Sequence, residues 1–243
     1  MIIDTHCHID LYSNPYSILK ECESKGITVI SMTNLPSHFE LGFPHFHSLK
    51  KIRIALGMHP LMADSHNQEF EKFIKNINNT SYIGEVGLDF SNEGIGTKDI
   101  QIETFTKILK LVSGQNKILS IHSRKAEKEV LTLLRKCKIS NAIFHWYSGP
   151  TLLINEIVES GYYFSINPSM INSKNGQNII SKIPLENILT ESDGPFIQLG
   201  NKVIKPWDVS EVINFISATK KIKKNEVELL VRNNFLNLIA KIK

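Results

Sequence analysis

The chain has 243 residues, 42% hydrophobic and 21% charged, with a formal net charge of +4. That length suits one domain over residues 1–243 around a large core, and the mild positive charge admits a phosphate-bearing substrate without the basic signature of a dedicated nucleic-acid-binding module. Cys7, Cys22 and Cys137 are odd in number and lack C-x-x-C spacing, and neither a leader pattern nor an apolar run of about 20 residues is evident. The expectation is a soluble cytoplasmic protein with reduced thiols and no membrane association.

Short Ile- and Val-rich runs alternate with longer amphipathic stretches, the pattern of repeated βα units. Strands are expected at 2–6, 28–32, 52–57, 82–88, 118–122, 141–145, 162–166 and 188–191, eight in all. Helices are expected at 15–25, 37–50, 67–77, 98–115, 126–137, 150–160, 175–183, 207–219 and 224–239. Pro44 interrupts the second of these, Pro150 and Pro206 suit helix starts, and Gly26 and Gly161 suit helix stops. Residues 91–96 read as a flexible βα loop, and Lys220, Lys221, Lys223 and Lys224 as a solvated basic turn between the last two helices, with DNA contact as the alternative. Eight such units predict an α/β fold, a closed (β/α)8 TIM barrel.

The chemistry-bearing residues gather at the ends of these strands. His6 and His8 lie two apart at the end of the first strand, so both imidazoles leave it in one direction. Glu85 lies in the fourth strand, His122 ends the fifth, His145 ends the sixth and Asp193 follows the eighth. In a (β/α)8 barrel all belong to the C-terminal face, where active sites are built. Four imidazoles and two carboxylates form a mixed N/O donor set suited to two divalent ions such as Zn²⁺, Mn²⁺ or Mg²⁺, with Glu85 as the candidate bridge. Hydrolysis follows as the expected reaction, with water deprotonated at the metal as nucleophile and Asp193 both ligating and moving the proton. His59 before Pro60 and Arg124 beside His122 are candidate substrate contacts, each with a structural alternative: a turn cap for His59 and a surface salt bridge for Arg124. Trp146, Tyr147 and Phe196 are candidate stacking faces, with core or loop packing as the alternative.

The stretches Asp4-Thr-His-Cys-His-Ile-Asp10, Gly57-Met-His-Pro60, Ile83-Gly-Glu-Val-Gly-Leu-Asp89, Ile121-His-Ser-Arg124, Phe144-His-Trp-Tyr-Ser-Gly149 and Leu189-Thr-Glu-Ser-Asp-Gly-Pro195 together resemble the TatD family of metal-dependent deoxyribonucleases, within the amidohydrolase-like barrels. The resemblance covers nearly the whole chain. It implies metal-dependent cleavage of DNA phosphodiesters and carries ligand roles onto His6, His8, Glu85, His122, His145 and Asp193. Within the family, Asp10-Leu-Tyr12, Thr190-Glu-Ser-Asp-Gly-Pro-Phe196 and Lys205-Pro-Trp-Asp208 are most similar to the QatD subgroup of a bacterial anti-phage defence system. That narrower resemblance implies partner proteins, including an ATPase and an enzyme like those of deazapurine synthesis, and as substrate a modified nucleic acid, DNA included, or a different molecule. The chain also departs from the family pattern. Ile204-Lys-Pro-Trp207 stands where an Arg-Asn-Glu-Pro-like segment is usual, making Lys205 a candidate substrate contact; Leu61 replaces a second histidine after His59-Pro60, and Gly194 replaces an alanine. Two other readings stay open: an amidohydrolase acting on a small amide, lactone or purine-like ring, and a non-catalytic subunit of a defence complex.

Overall fold

The computed structural model describes residues 2–242. Nine short strands make the barrel: β1 (Ile3–Cys7), β2 (Thr28–Ser31), β3 (Ile52–Ile54), β4 (Leu56–Met58), β5 (Tyr82–Gly87), β6 (Ile118–His122), β7 (Ala142–His145), β8 (Tyr163–Ile166) and β9 (Ile188–Thr190). All their pairings are parallel, in the order β1-β2-β3 and then β4 through β9. The expected third strand is therefore two segments that switch partners at Ala55. The cause is crowding at the end of β2: a Cβ on Gly57 would lie 1.6 Å from the Thr33 carbonyl oxygen, so only glycine lets the chain pass. Thr33 bridges the gap with its side chain, its hydroxyl donating to Ala55 O at 2.9 Å and accepting from Gly57 N at 3.1 Å, while Glu85 N donates to Thr33 O at 3.2 Å. The TIM-barrel expectation holds, with eight strand positions around the ring.

The seam between β9 and β1 closes through side chains as well as backbone. Thr190 Oγ1 donates to Ile3 O at 2.5 Å, Thr5 Oγ1 donates to Thr190 O at 3.1 Å, and Asp193 N donates to His6 O at 2.9 Å. Buried Asp4 adds a clasp across the same seam, accepting from Ser192 N at 3.0 Å and Ser192 Oγ at 2.5 Å. These bonds hold the first ligand strand against the loop that carries the last ligand.

Helices α1 (Pro15–Ser24), α2 (Pro36–Phe46), α3 (His66–Asn76), α4 (Lys98–Val112), α5 (Glu127–Lys136), α6 (Leu153–Glu159), α7 (Pro168–Ile171), α8 (Lys174–Lys182), α9 (Ser210–Lys220) and α10 (Lys224–Ala240) follow the strands. Pro44 sits in the last turn of α2, which ends at Phe46 rather than at residue 50, because proline removes one helical hydrogen bond there. After Pro150 two turn residues intervene before α6, and after Pro206 a 3-10 turn, Pro206–Val209, precedes α9. Two elements are additions to the sequence pattern: α7, whose N-cap Asn167 accepts from Met170 N at 3.0 Å, and a hairpin of β10 (Gln198–Leu199) and β11 (Lys202–Val203). The 91–96 loop, expected to be flexible, is a bonded turn: Ser91 O accepts from Gly94 N and Ile95 N, and Gln101 Nε2 donates to Gly94 O at 2.7 Å. At the barrel's lower end, Ile3, Ile30, Ile118, Ile143 and Leu189 pack with Phe235 and Leu238 of α10. No helix among the described residues is long and apolar enough to cross a membrane.

Candidate metal centre

Every ligand candidate leaves the upper end of a strand. β1 delivers His6 and, one residue beyond its end, His8; β5 delivers Glu85; β6 and β7 end on His122 and His145; Asp193 follows β9. His6, His8, Glu85, His145 and Asp193 are buried and His122 is partly so.

The two oxygens of Glu85 face different groups of imidazoles. Oε2 lies 3.4 Å from His6 Nε2 and 3.3 Å from His8 Nε2, which are themselves 3.3 Å apart, and Asp193 Oδ1 lies 3.6 and 3.9 Å from the same nitrogens. A tetrahedral ion with ligands about 2.1 Å away has ligand-to-ligand edges of about 3.4 Å, so His6, His8 and Asp193 fit as a group around one divalent cation, with Glu85 Oε2 at a similar distance from both imidazoles. Oε1 lies 2.6 Å from His122 Nδ1 and 2.8 Å from His145 Nε2, with the two nitrogens 3.4 Å apart. That second group has the chemistry of another N/O site, more tightly drawn together by hydrogen bonds.

The outward nitrogens are fixed by groups that sequence reasoning passed over. His6 Nδ1 meets Ser120 Oγ at 2.7 Å, and His122 Nε2 donates to Asp89 Oδ2 at 2.7 Å. Asp89 is itself held by Ser91 N at 2.8 Å. Buried Glu191 faces His145 Nδ1 at 3.7 Å and accepts from Asn167 Nδ2 and Trp146 N, both at 2.9 Å, and from the Ser165 hydroxyl. Such partners aim ligand imidazoles and select their tautomers. Asp4, Asp89 and Glu191 all lie inside the quoted motifs, and the strand-end rule that selected His122 applies equally to Asp89 and Glu191. Trp146 and Asp193 adopt φ of 37° and 46°, a region costly for non-glycine residues and held here by the Trp146 N and Asp193 N bonds.

The electrostatics divide the two groups. Burial, reinforced by nearby His145, pushes His6 well below the usual imidazole range and keeps it neutral, as a metal ligand must be. Burial alone would raise Glu85, but His59, His145 and His122 hold it well below the usual carboxylate range. Burial would lower His122 and His145; Asp89 and Glu85 raise the first, and Glu85 and Glu191 raise the second well above the ordinary value. The imidazoles of the Oε1 group therefore hold their protons more firmly than His6 does, and a cation binding there competes with those protons.

An open cavity of about 650 Å³ lies above these atoms, lined in part by His59, Leu61, Met62, Trp146 and Phe196. His59 Nδ1 accepts from Leu61 N at 3.1 Å, which puts the proton of the neutral ring on Nε2, 3.4 Å from Glu85 Oε1. His59 thus caps its turn and faces the centre as a donor. Phe196 is 56% exposed and stands edge-on to His8 at 4.9 Å, whereas Tyr147 is buried against Phe144 and Phe164. Arg124 lies on the cavity rim with its guanidinium 2.7 Å from Glu93. Lys205 is not among the cavity-lining residues; its ammonium stands 5.2 Å over the Trp207 ring.

A sequence profile of TatD-related DNases matches residues 3–240. The chain belongs to the TatD-related DNase family. Human deoxyribonuclease TATDN3 is 26% identical over 265 aligned residues, spanning 100% of this chain and 96% of its own length. A metal-dependent hydrolase of Methanocaldococcus jannaschii is 27% identical, spanning 96% of this chain and 94% of its own. Among solved structures, the Escherichia coli TatD homologue YJJV superposes with a TM-score of 0.88 at 21% identity, over 98% of this chain and 97% of its own. An amidohydrolase of Saccharomyces cerevisiae superposes at 0.74 and 13% identity, over 98% and 100%. At those identities the superpositions speak to the barrel fold alone. This TatD-family chain is a metal-dependent hydrolase with buried His, Glu and Asp groups suited to divalent ions.

Proposed function

We propose that this chain, working as one barrel domain, is a phosphodiesterase that hydrolyses DNA with two divalent ions, Zn²⁺, Mn²⁺ or Mg²⁺. The observation that carries the reading is Glu85, one carboxylate whose separate oxygens face His6 and His8 on one side and His122 and His145 on the other. The name of human TATDN3 points to the same substrate. When bound, the ions polarise the phosphoryl group and make the attacking water acidic.

The chain's own residues perform the remaining tasks. Glu85 bridges the two ligand groups, and Asp193 completes the His6–His8 group while accepting a proton from the attacking water and returning it to the leaving oxygen. His59 Nε2–H donates to a phosphate oxygen. Trp146 and exposed Phe196 offer faces for the flanking base, and Arg124, once released from Glu93, reaches a phosphate at the rim. Incubation of end-labelled single- and double-stranded DNA with Mg²⁺, Mn²⁺ or Zn²⁺ tests the reading: cleavage that needs both His145 and Asp193 supports it, and no cleavage under any of these conditions refutes it.

We further infer, from the wording around Asp10–Tyr12 and Lys205–Asp208, a role in anti-phage defence alongside an ATPase and a deazapurine-synthesis-like enzyme, with modified DNA within the substrate range. The three unpaired cysteines favour the reducing cytoplasm as its place of work. Loss of phage protection on Glu85→Gln, with the complex still assembled, supports catalysis in that setting; unchanged protection supports a scaffold.

A further inference from the structure

At the end of the barrel opposite the metal centre lies a second polar cavity of about 340 Å³. Its position follows from the strands: Tyr82 opens β5, Lys117 directly precedes β6, and Arg53 lies in β3. The lining residues include both cations, the hydroxyls of Ser81 and Tyr82 and the Asn78 amide, and contain no carboxylate.

Arg53 and Lys117 have no ion pair among the described residues. Their partners are backbone carbonyls: Lys117 Nζ donates to Ile77 O at 2.6 Å and Thr80 O at 2.7 Å, and one Nη of Arg53 donates to Ile52 O at 3.0 Å and to Leu49 O. A backbone carbonyl supplies only partial negative charge. Exposed Arg53 and partly buried Lys117 thus bring two positive charges to one open cavity with no carboxylate among its lining residues, and burial pulls the Lys117 ammonium below the usual lysine range. Such an arrangement is completed by an anion.

We propose that this cavity binds a small phosphomonoester carrying a planar ring, of the nucleoside monophosphate class. The other Nη and the Nε of Arg53 remain free to fork onto phosphate oxygens, a geometry that lysine cannot supply. Ser81 and Tyr82, whose hydroxyls make no hydrogen bond among the described residues, line the same cavity. On α2 and just beyond it, the lining rings of Phe43 and His47 stack at 6.1 Å and offer an aromatic wall for the base. The volume is at the lower end of small-molecule sites. The site stands apart from the hydrolytic reading, because none of its residues belongs to the metal centre.

Calorimetric titration of the protein in excess chelator, which removes metal ions as phosphate ligands, tests the assignment with dAMP, deoxyadenosine and inorganic phosphate as separate probes. The expected result is one equivalent of dAMP bound at least about tenfold tighter than either fragment. Arg53→Gln removes the fork, and Ser81→Glu places a carboxylate in the cavity without touching the carbonyl bonds of Lys117. Each is expected to weaken dAMP binding about tenfold or more while the melting temperature shows the barrel intact. Absence of dAMP binding, binding no tighter than that of inorganic phosphate, or binding unchanged in both variants overturns the assignment and leaves the two cations as partners of backbone carbonyls alone.

Discussion

Replacing Asp4 asks how far the barrel seam sets the metal centre. Its Oδ1 accepts from His6 N at 3.1 Å and Ser192 N at 3.0 Å, and its Oδ2 from Ser192 Oγ at 2.5 Å, so one buried carboxylate ties the neighbours of two ligands together. Asp4→Ala strands two buried N–H donors at about 1–3 kcal/mol each, a loss of roughly 2–6 kcal/mol in unfolding free energy. Asp4→Asn keeps the oxygen that accepts both. The two variants also separate by pH, because burial raises the Asp4 carboxyl to about 7 from an ordinary 3.8. Between these values the folded protein retains a proton that the unfolded chain has released, so the wild type loses stability as pH rises through that window. About three pKa units at 1.36 kcal/mol each set this loss on the order of 4 kcal/mol. Asparagine carries no such slope. Urea unfolding in excess chelator at pH 5 and pH 8 reads both effects: Asp4→Asn gains about 2–4 kcal/mol on the wild type between the two pH values, and Asp4→Ala is destabilised at both. Parallel pH profiles, or an alanine variant within about 1 kcal/mol of the wild type, would refute the clasp.

Four further outcomes follow from the geometry. Glu85→Gln, which weakens the bridge on both sides, lowers DNA cleavage by about a thousandfold or more and reduces bound metal from two equivalents, read by activity assay and elemental analysis. Cation binding to the Oε1 group displaces protons held among Glu85, His122 and His145, so metal titration in weak buffer acidifies the solution and affinity falls as pH drops; a titration with no proton release contradicts this. Phe196→Ala removes an exposed stacking face, weakening single-stranded DNA binding by about 1–3 kcal/mol, roughly 5- to 150-fold in KM, with a smaller effect on kcat. Lys205→Ala leaves cleavage within about twofold, because the ammonium rests on Trp207 outside the cavity lining; a larger loss would restore it as a phosphate contact.

The strand-by-strand alternation of Ile- and Val-rich runs was enough to place every barrel strand within a few residues, and with them His6, His8, Glu85, His122, His145 and Asp193 at one end. Those features are local: side-chain period and the direction of a parallel strand follow from neighbouring residues. Less legible were the split at Ala55, whose cause is the approach of Gly57 to Thr33, and α7, whose short Asn167-Pro168 signal lies within a loop. The same limit applies to Arg124 and Lys205, which sit beside motif residues in the chain but whose charged groups are turned to Glu93 and Trp207. Adjacency in sequence does not determine where a long flexible side chain ends.

The sequence by itself determined the barrel, the end of it that bears the chemistry and the donor types gathered there, because all three depend on periodicity and on residues two apart along a strand. Only the tertiary structure decided that Glu85 divides its oxygens between two imidazole groups, that Ser120, Asp89 and Glu191 stand behind His6, His122 and His145, and that Arg53 and Lys117 share a cavity at the far end. The reason is physical: which atom of a side chain faces which partner depends on groups brought together by barrel closure from dozens of residues away, and no local pattern encodes that meeting.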